Sequence, residues 1–141
     1  MRTQPELAWA AGAVDGEGCI AIVAVKHKDS VRLQYGLYIA VGNTDPRMPR
    51  RLADLFGGNV LVKSARPGNR TMYEWRIFAS KAGAVLKELR PYLIVKGEQA
   101  DVGIAFAETL RRRGSWHTAD LRDTRESMRT KIAVLKREEA S

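Results

Sequence analysis

The chain has 141 residues, 45% of them hydrophobic and 28% charged, a composition that fits a folded soluble protein and excludes a disordered segment. Its 24 lysines and arginines outnumber its 16 acids, and the net charge of +8 points to a polyanionic partner, most simply nucleic acid. The single cysteine, Cys19, excludes an internal disulfide and fits an intracellular, reducing compartment, and with no apolar run near the ~20 residues of a membrane span and no secretory leader, neither membrane insertion nor secretion is expected.

Thr3-Gln4-Pro5-Glu6 has the form of a capping box with proline in the first turn, which predicts a helix over residues 4–15. Ala8 and Gly12 stand four apart with Ala10, Ala11 and Ala13 around them, a small-residue face that lets another helix come close. The glycines of Asp15-Gly16-Glu17-Gly18 are expected to end the helix, because glycine most easily takes the positive φ of a C-cap. Two carboxylates then fall at the negative end of the helix dipole, where acids cost stability. A local rule broken this plainly marks a functional position, and Glu17 is the candidate ligand of a divalent metal.

Two strands follow. The first, over residues 19–28, is apolar on both parities and ends in the turn Lys28-Asp29-Ser30. The second, over residues 31–42, alternates: Leu33, Tyr35, Leu37, Ile39 and Val41 point one way, Arg32, Gln34, Gly36, Tyr38 and Ala40 the other. Such alternation means one buried and one open face, and the two strands are expected to pair as an antiparallel hairpin.

Asn43-Thr44-Asp45-Pro46 opens a second helix, with Thr44 or Asp45 as its cap and Gly57-Gly58 as its stop. A second hairpin is expected from residues 59–65 and 70–79 around the loop Arg66-Pro67-Gly68-Asn69. Its last strand places Tyr73, Trp75 and Ile77 on one face and Met72, Glu74, Arg76 and Phe78 on the other. Ser80 is read as the cap of a third helix that ends before Pro91. A fourth covers residues 97–112, closed by Gly114, and a last amphipathic helix covers residues 119–138 with Leu121, Met128, Ile132 and Leu135 on one side. The order αββαββ followed by helices predicts an α+β fold: a four-stranded antiparallel sheet with helices on one face and the other face free. No linker divides the chain, so one domain is expected over residues 1–141, with a core over about 4–113 and the C-terminal helix added to it.

The segment AAGAVDGEG at residues 10–18 resembles the nine-residue motif that names the LAGLIDADG homing endonucleases, with Ala10 where the family has leucine. Val41-Gly42-Asn43-Thr44-Asp45, Phe56-Gly57-Gly58, the Tyr73, Trp75 and Ile77 series, Leu89-Arg90-Pro91-Tyr92-Leu93, and Lys96 with Gln99 continue the resemblance in order over about residues 6 to 110. One copy of the motif is present, and single-motif members act as homodimers.

The resemblance implies a site-specific enzyme of intron homing, cutting double-stranded DNA at a long, roughly palindromic target with Mg²⁺ or another divalent cation. Glu17 takes the place of the metal-binding acid, with the helix-end carbonyl of Gly16 as a further oxygen ligand. Lys96 matches the family's basic residue near the scissile phosphate, Asn43 a polar residue that positions water, and Arg47, one turn later, an added charge. Plainer readings stand beside these: Lys96 as a solvent-facing lysine at a helix start, Asn43 as a turn former or cap. Dimerisation through the motif helix would use Ala8, Ala11, Gly12 and Asp15. DNA would be read from the free sheet face, since a β-ribbon fits the major groove and side chains reach base edges there. The candidates are Ala21, Val23, Val25 and His27 on the first strand, Arg32, Gln34, Tyr38 and Ala40 on the second, and Lys63, Arg66, Arg70, Glu74 and Arg76 on the second hairpin. His27 reads equally well as a solvent-exposed hairpin residue. Arg111, Arg112, Arg113, Lys131, Lys136 and Arg137 are phosphate contacts or solvated charge. The alternative function is an RNA maturase of the same family acting on intron RNA, or a relative that binds nucleic acid without cleaving it.

Overall fold

A computed structural model describes residues 1–26, 33–64, 66–110 and 119–140. The expected turn at residues 28–30, the candidates His27 and Arg32, the arginines 111–113 and the helix stop at Gly114 lie outside the described residues.

The elements run α1 (Gln4–Glu17), β1 (Gly18–Lys26), β2 (Leu33–Asn43), α2 (Arg47–Phe56), β3 (Asn59–Lys63), β4 (Met72–Phe78), α3 (Ala79–Leu89), a 3-10 turn (Arg90–Tyr92), α4 (Gly97–Thr109) and α5 (Ala119–Ala140). The strands form one antiparallel sheet in the order β1-β2-β4-β3. The two hairpins therefore meet at β2 and β4, with β1 and β3 at the edges.

Register sorts the side chains. The pairs Ile20↔Ile39, Ile22↔Leu37, Ile39↔Ile77, Val41↔Trp75 and Val60↔Trp75 share one face. That face meets Val14 of α1, Leu52 of α2, Leu86 of α3, Phe106 of α4 and Ile132 of α5 in a common core. Trp75 and Phe106 are its largest fully buried side chains, and the Trp75 indole N–H donates to the Gly57 carbonyl at 2.7 Å. That bond fixes the end of α2, where Gly57 and Gly58 take φ of 80° and 89°. Helices α3 and α4 approach so closely that a methyl group at Gly103 would sit 2.6 Å from a Leu86 methyl.

Helix α1 begins as expected: Thr3 Oγ1 accepts from the Glu6 N–H at 3.2 Å and Glu6 Oε1 from the Thr3 N–H at 2.8 Å. Its end differs. The helix runs through Gly16 to Glu17, and Gly18 caps it in extended conformation, φ −101°, with its N–H on the Val14 carbonyl. Glycine is needed there for space and not for a positive φ, because a Cβ on Gly18 would lie 2.7 Å from the Val14 oxygen. Helix α2 starts at Arg47, whose backbone N–H donates to Asp45 Oδ1 at 2.9 Å, so Asp45 covers the first turn as expected of it. The cap of α3 differs: that helix starts at Ala79, whose φ of 57° turns the chain out of β4 directly, leaving Ser80 inside the helix.

Helix α5 lies along the core side. Tyr35 donates to Glu126 at 2.7 Å, Arg125 donates to the Thr109 hydroxyl at 3.1 Å, and Ile132 is buried. Among the described residues no helix is long and apolar enough to cross a membrane.

Candidate metal and nucleic-acid site

The two carboxylates at the end of α1 do different things. Asp15 accepts three backbone N–H bonds, from Ile94 (2.7 Å), Val95 (3.2 Å) and Lys96 (2.9 Å), and so caps the segment that leads into α4. This explains an acid at a helix C-terminus: its partner is the N-terminal side of another helix, where carboxylates are favoured. Glu17, two residues on, is exposed, and its carboxylate has no partner among the described residues.

Asp15 thereby ties Lys96 to the motif. The Lys96 side chain is 10% exposed, and its ammonium donates to Glu139 at 2.7 Å. Lys96, Gln99, Gly18, Cys19, Lys136 and Glu139 line a cavity of about 300 Å³. The Lys96 ammonium is thus directed inward, unlike a solvent-facing lysine at a helix start.

Asn43 and Arg47 line a different, more open hollow with Trp9, Asp45, Met48 and Arg51. Gly18 pairs with Val41, and β2 continues to Asn43, so this hollow opens at the same end of the sheet as Glu17. Asn43 Oδ1 accepts from the Asp45 N–H at 2.9 Å, which is the turn-former role. Asp45 takes hydrogen bonds from the Arg47 side chain and then from its backbone N–H, and these hold its carboxyl at about 2. Arg47 is otherwise largely exposed.

On α1 the exposed stripe is Ala8, Trp9, Gly12 and Gly16, with open space at both glycines. Two of the expected interface residues are not on it. Ala11 is fully buried in the chain's own core, and Asp15 is occupied by the backbone of residues 94–96. Large apolar side chains are also exposed near this end of the chain: Trp9, 40% exposed, and beside the Asp15 cap Ile94 and Val95, 90% and 53% exposed. Their exposure is set by the packing of the chain and has no local signal in the sequence.

Among the described residues no helix of the core cluster packs on the other sheet face. Cross-strand register puts Ala21, Val23, Val25, Gln34, Tyr38, Ala40, Lys63, Glu74 and Arg76 on it together. Val23 and Val25 are exposed, whereas Ala21 and Ala40, each 8% exposed, form a floor beneath longer neighbours and present almost no surface. Arg66 and Arg70 are exposed in the segment between β3 and β4. Met72, Phe78 and Leu61, outside the expected set, share the face and are exposed. Glu74 is bonded by Arg76 and, at 2.9 Å, by Lys63. Partial burial pushes its carboxyl up, but those two bonds outweigh it and hold the group below its usual range. The Arg76 guanidinium also lies over the Tyr38 ring, 5.2 Å from its centroid.

No protein-family model matches the sequence, nor does any curated protein. Solved structures do match. The homing endonuclease I-CvuI in complex with its target is similar at a TM-score of 0.79 and 23% identity, over 94% of this chain and 82% of that one. The archaeal intron-encoded homing endonuclease I-Vdi141I complexed with DNA gives 0.77 and 13%, over 92% and 83%. The LAGLIDADG homing endonuclease I-SmaMI bound to DNA gives 0.72 and 20%, but this chain spans only 45% of its length. With residues 10–18 forming the last turns of α1 and its glycine cap, the chain has the fold of the LAGLIDADG homing endonucleases.

Proposed function

We propose that two copies of this chain form a divalent-metal-dependent endonuclease that cuts double-stranded DNA at a long, roughly palindromic site. The reading is carried by the convergence at the end of α1: Glu17 exposed and unpaired, with Lys96 tied to the same turn through Asp15. The DNA complexes of I-CvuI and I-Vdi141I, solved for I-CvuI with Mg or Ca, support it by likeness of fold.

A hard cation suits these donors. Among the described residues no three acidic, histidine or cysteine side chains gather in one chain. Mg²⁺, however, is often held by one or two carboxylates with substrate phosphates filling the remaining positions. Glu17 and the Gly16 carbonyl, one set from each of two copies, are of that type. When bound, the cation supplies Lewis-acid stabilisation of charge on the phosphate oxygens.

The chain's own residues supply the rest. Lys96 offers a nearly buried ammonium, whose field is strong because little water screens it. Asn43 and Arg47 bring an amide and a guanidinium to the neighbouring hollow. The twofold partner rests on Ala8, Trp9, Gly12, Gly16, Ile94 and Val95. Glycine and alanine permit close backbone approach there, and the apolar side chains gain about 25 cal/mol per Å² buried. The open sheet face reads DNA: Gln34 and Arg76 are suited to bidentate contacts with adenine and guanine, Val23 and Val25 to thymine methyls.

Sedimentation at micromolar concentration with and without DNA, together with cleavage in Mg²⁺ and in chelator, tests this. The expected results are a dimer and cation-dependent double-strand cuts. A monomer under both conditions refutes the dimer. Tight binding of intron RNA with no DNA cut in Mg²⁺ makes the maturase reading correct instead.

A further inference from the structure

The last turn of α5 reaches the cavity beside the motif, and one of its acids meets Lys96 there. Glu139 accepts from the Lys96 ammonium at 2.7 Å through one carboxylate oxygen and from the buried Gln99 amide at 2.6 Å through the other. Gln99 is 2% exposed, and its own oxygen has no partner among the described residues, so Glu139 is the anchor of that amide. Lys136, three residues before Glu139 on α5, is turned to Cys19, with its nitrogen 3.2 Å from the sulfur. The groups around Lys96 are therefore Asp15 on its backbone, Cys19 on β1, Gln99 on α4, and Lys136 and Glu139 on α5.

We propose that Glu139 is a positioning residue: it fixes the side chain of Lys96 in the cavity next to the motif, and α5 exists in part to deliver it. The proposal rests on the reading of Lys96 as a residue of the cleavage site. A lysine side chain has four rotatable carbon–carbon bonds and loses much conformational freedom when held in one arrangement. Here three contacts remove that freedom before DNA arrives. Asp15 holds the backbone, the surrounding residues leave the side chain 10% exposed, and Glu139 takes one of the three ammonium hydrogens. The remaining hydrogens stay available to a phosphate. Helix α5 is in turn held by Tyr35 on Glu126, Arg125 on Thr109 and the burial of Ile132, contacts remote from the site that set where Glu139 stands. The Lys96 hydrogen bond also keeps the Glu139 carboxyl below its ordinary range, against the opposing effect of partial burial.

The test is a double-mutant cycle of Lys96→Ala and Glu139→Gln in the full chain. Three quantities are read: the single-turnover cleavage rate at saturating DNA, the DNA dissociation constant, and the rate at which Lys96 is acylated by an amine reagent. Glu139→Gln is expected to lower the rate about tenfold, as loss of an orienting partner does, and to leave the dissociation constant within about twofold. Lys96 acylation should rise severalfold. The double variant should cleave no more slowly than Lys96→Ala alone, and Glu139→Asp should recover part of the rate. An unchanged or faster rate in Glu139→Gln, or losses that multiply in the double variant, overturns the proposal; a faster rate identifies an inhibitory contact instead. If the wild-type chain cuts no DNA, the endonuclease reading has failed on its own. Acylation then still decides the pairing: equal labelling of Lys96 in wild type and Glu139→Gln refutes it.

Discussion

At the end of α1 the charged groups are joined across the whole chain: Asp15 to the backbone of residues 94–96, and Lys96 to Glu139, 43 residues further on. On the free face of the sheet they are joined to near neighbours, Glu74 to Arg76 two residues away and to Lys63 on the adjacent strand. The first arrangement can form only once the fold is complete, and little in it can change without disturbing a helix. The second sits on half-buried and exposed positions of a sheet whose core is on the opposite side, so its side chains can change while the strands remain. On the proposed function, chemistry would be built into the fold at one place, and recognition would be written on replaceable residues at the other.

Substitutions at the two regions should separate these roles. The largest effect is expected from Glu17→Gln, which removes the free carboxylate at the α1 end. Cleavage should fall by about 10³-fold or more while gel-shift affinity for the target stays near wild type; an active variant would remove Glu17 from the chemistry. Next come changes to the frame of the site. Asp15→Asn leaves one acceptor oxygen for three backbone donors and should cost about 2 kcal/mol in urea unfolding. Gly18→Ala drives a methyl into the Val14 carbonyl and should cost about 1–3 kcal/mol. Stability equal to wild type in either variant would mean that this junction is not rigid.

Smaller effects belong to the sheet. Glu74→Gln releases Arg76 and Lys63 from a shared carboxylate, and should shift the preference among target variants by about 1 kcal/mol at the base pairs Arg76 faces. Selection from randomised DNA by wild type and variant measures it, and identical preferences would show that this ion network is structural only. Val25→Ala, at a position 48% exposed, should change folding stability by no more than about 0.5 kcal/mol. Its trace should be a weaker preference for thymine over deoxyuridine at one position of the half-site.

The same contrast governs what could be read from the sequence. Alternation in β2 and β4 separated core from free face, because a period of two leaves a local record in the chain. The capping box of α1 and the glycine stop of α2 were likewise local. The partner of Asp15 was not, since nothing near residue 15 announces that residues 94–96 will bring it three N–H groups. Ala11 was expected outward with the small-residue face of the motif helix; a helix with small residues on every side gives periodicity too little contrast to orient it. Glu139 lies in a run of charges that reads as a solvated helix end, and only the packing of α5 takes it to Lys96. The end of α1, expected at Asp15, falls two residues later at Glu17 and is capped by Gly18, where glycine serves for a different physical reason: the position needs empty space and not a left-handed backbone.

Cleavage selection tests the whole most directly. Purified wild-type chain and its Glu17→Gln variant are incubated in Mg²⁺ with a plasmid library carrying randomised inserts, and the cut ends are sequenced. The expected outcome is a set of recurrent double-strand cuts centred on roughly palindromic sequences, absent with the variant and absent in chelator. Recurrent cuts that persist with Glu17→Gln, or no cuts at any sequence by the wild-type chain, would contradict a metal-dependent site at the joined ends of two α1 helices.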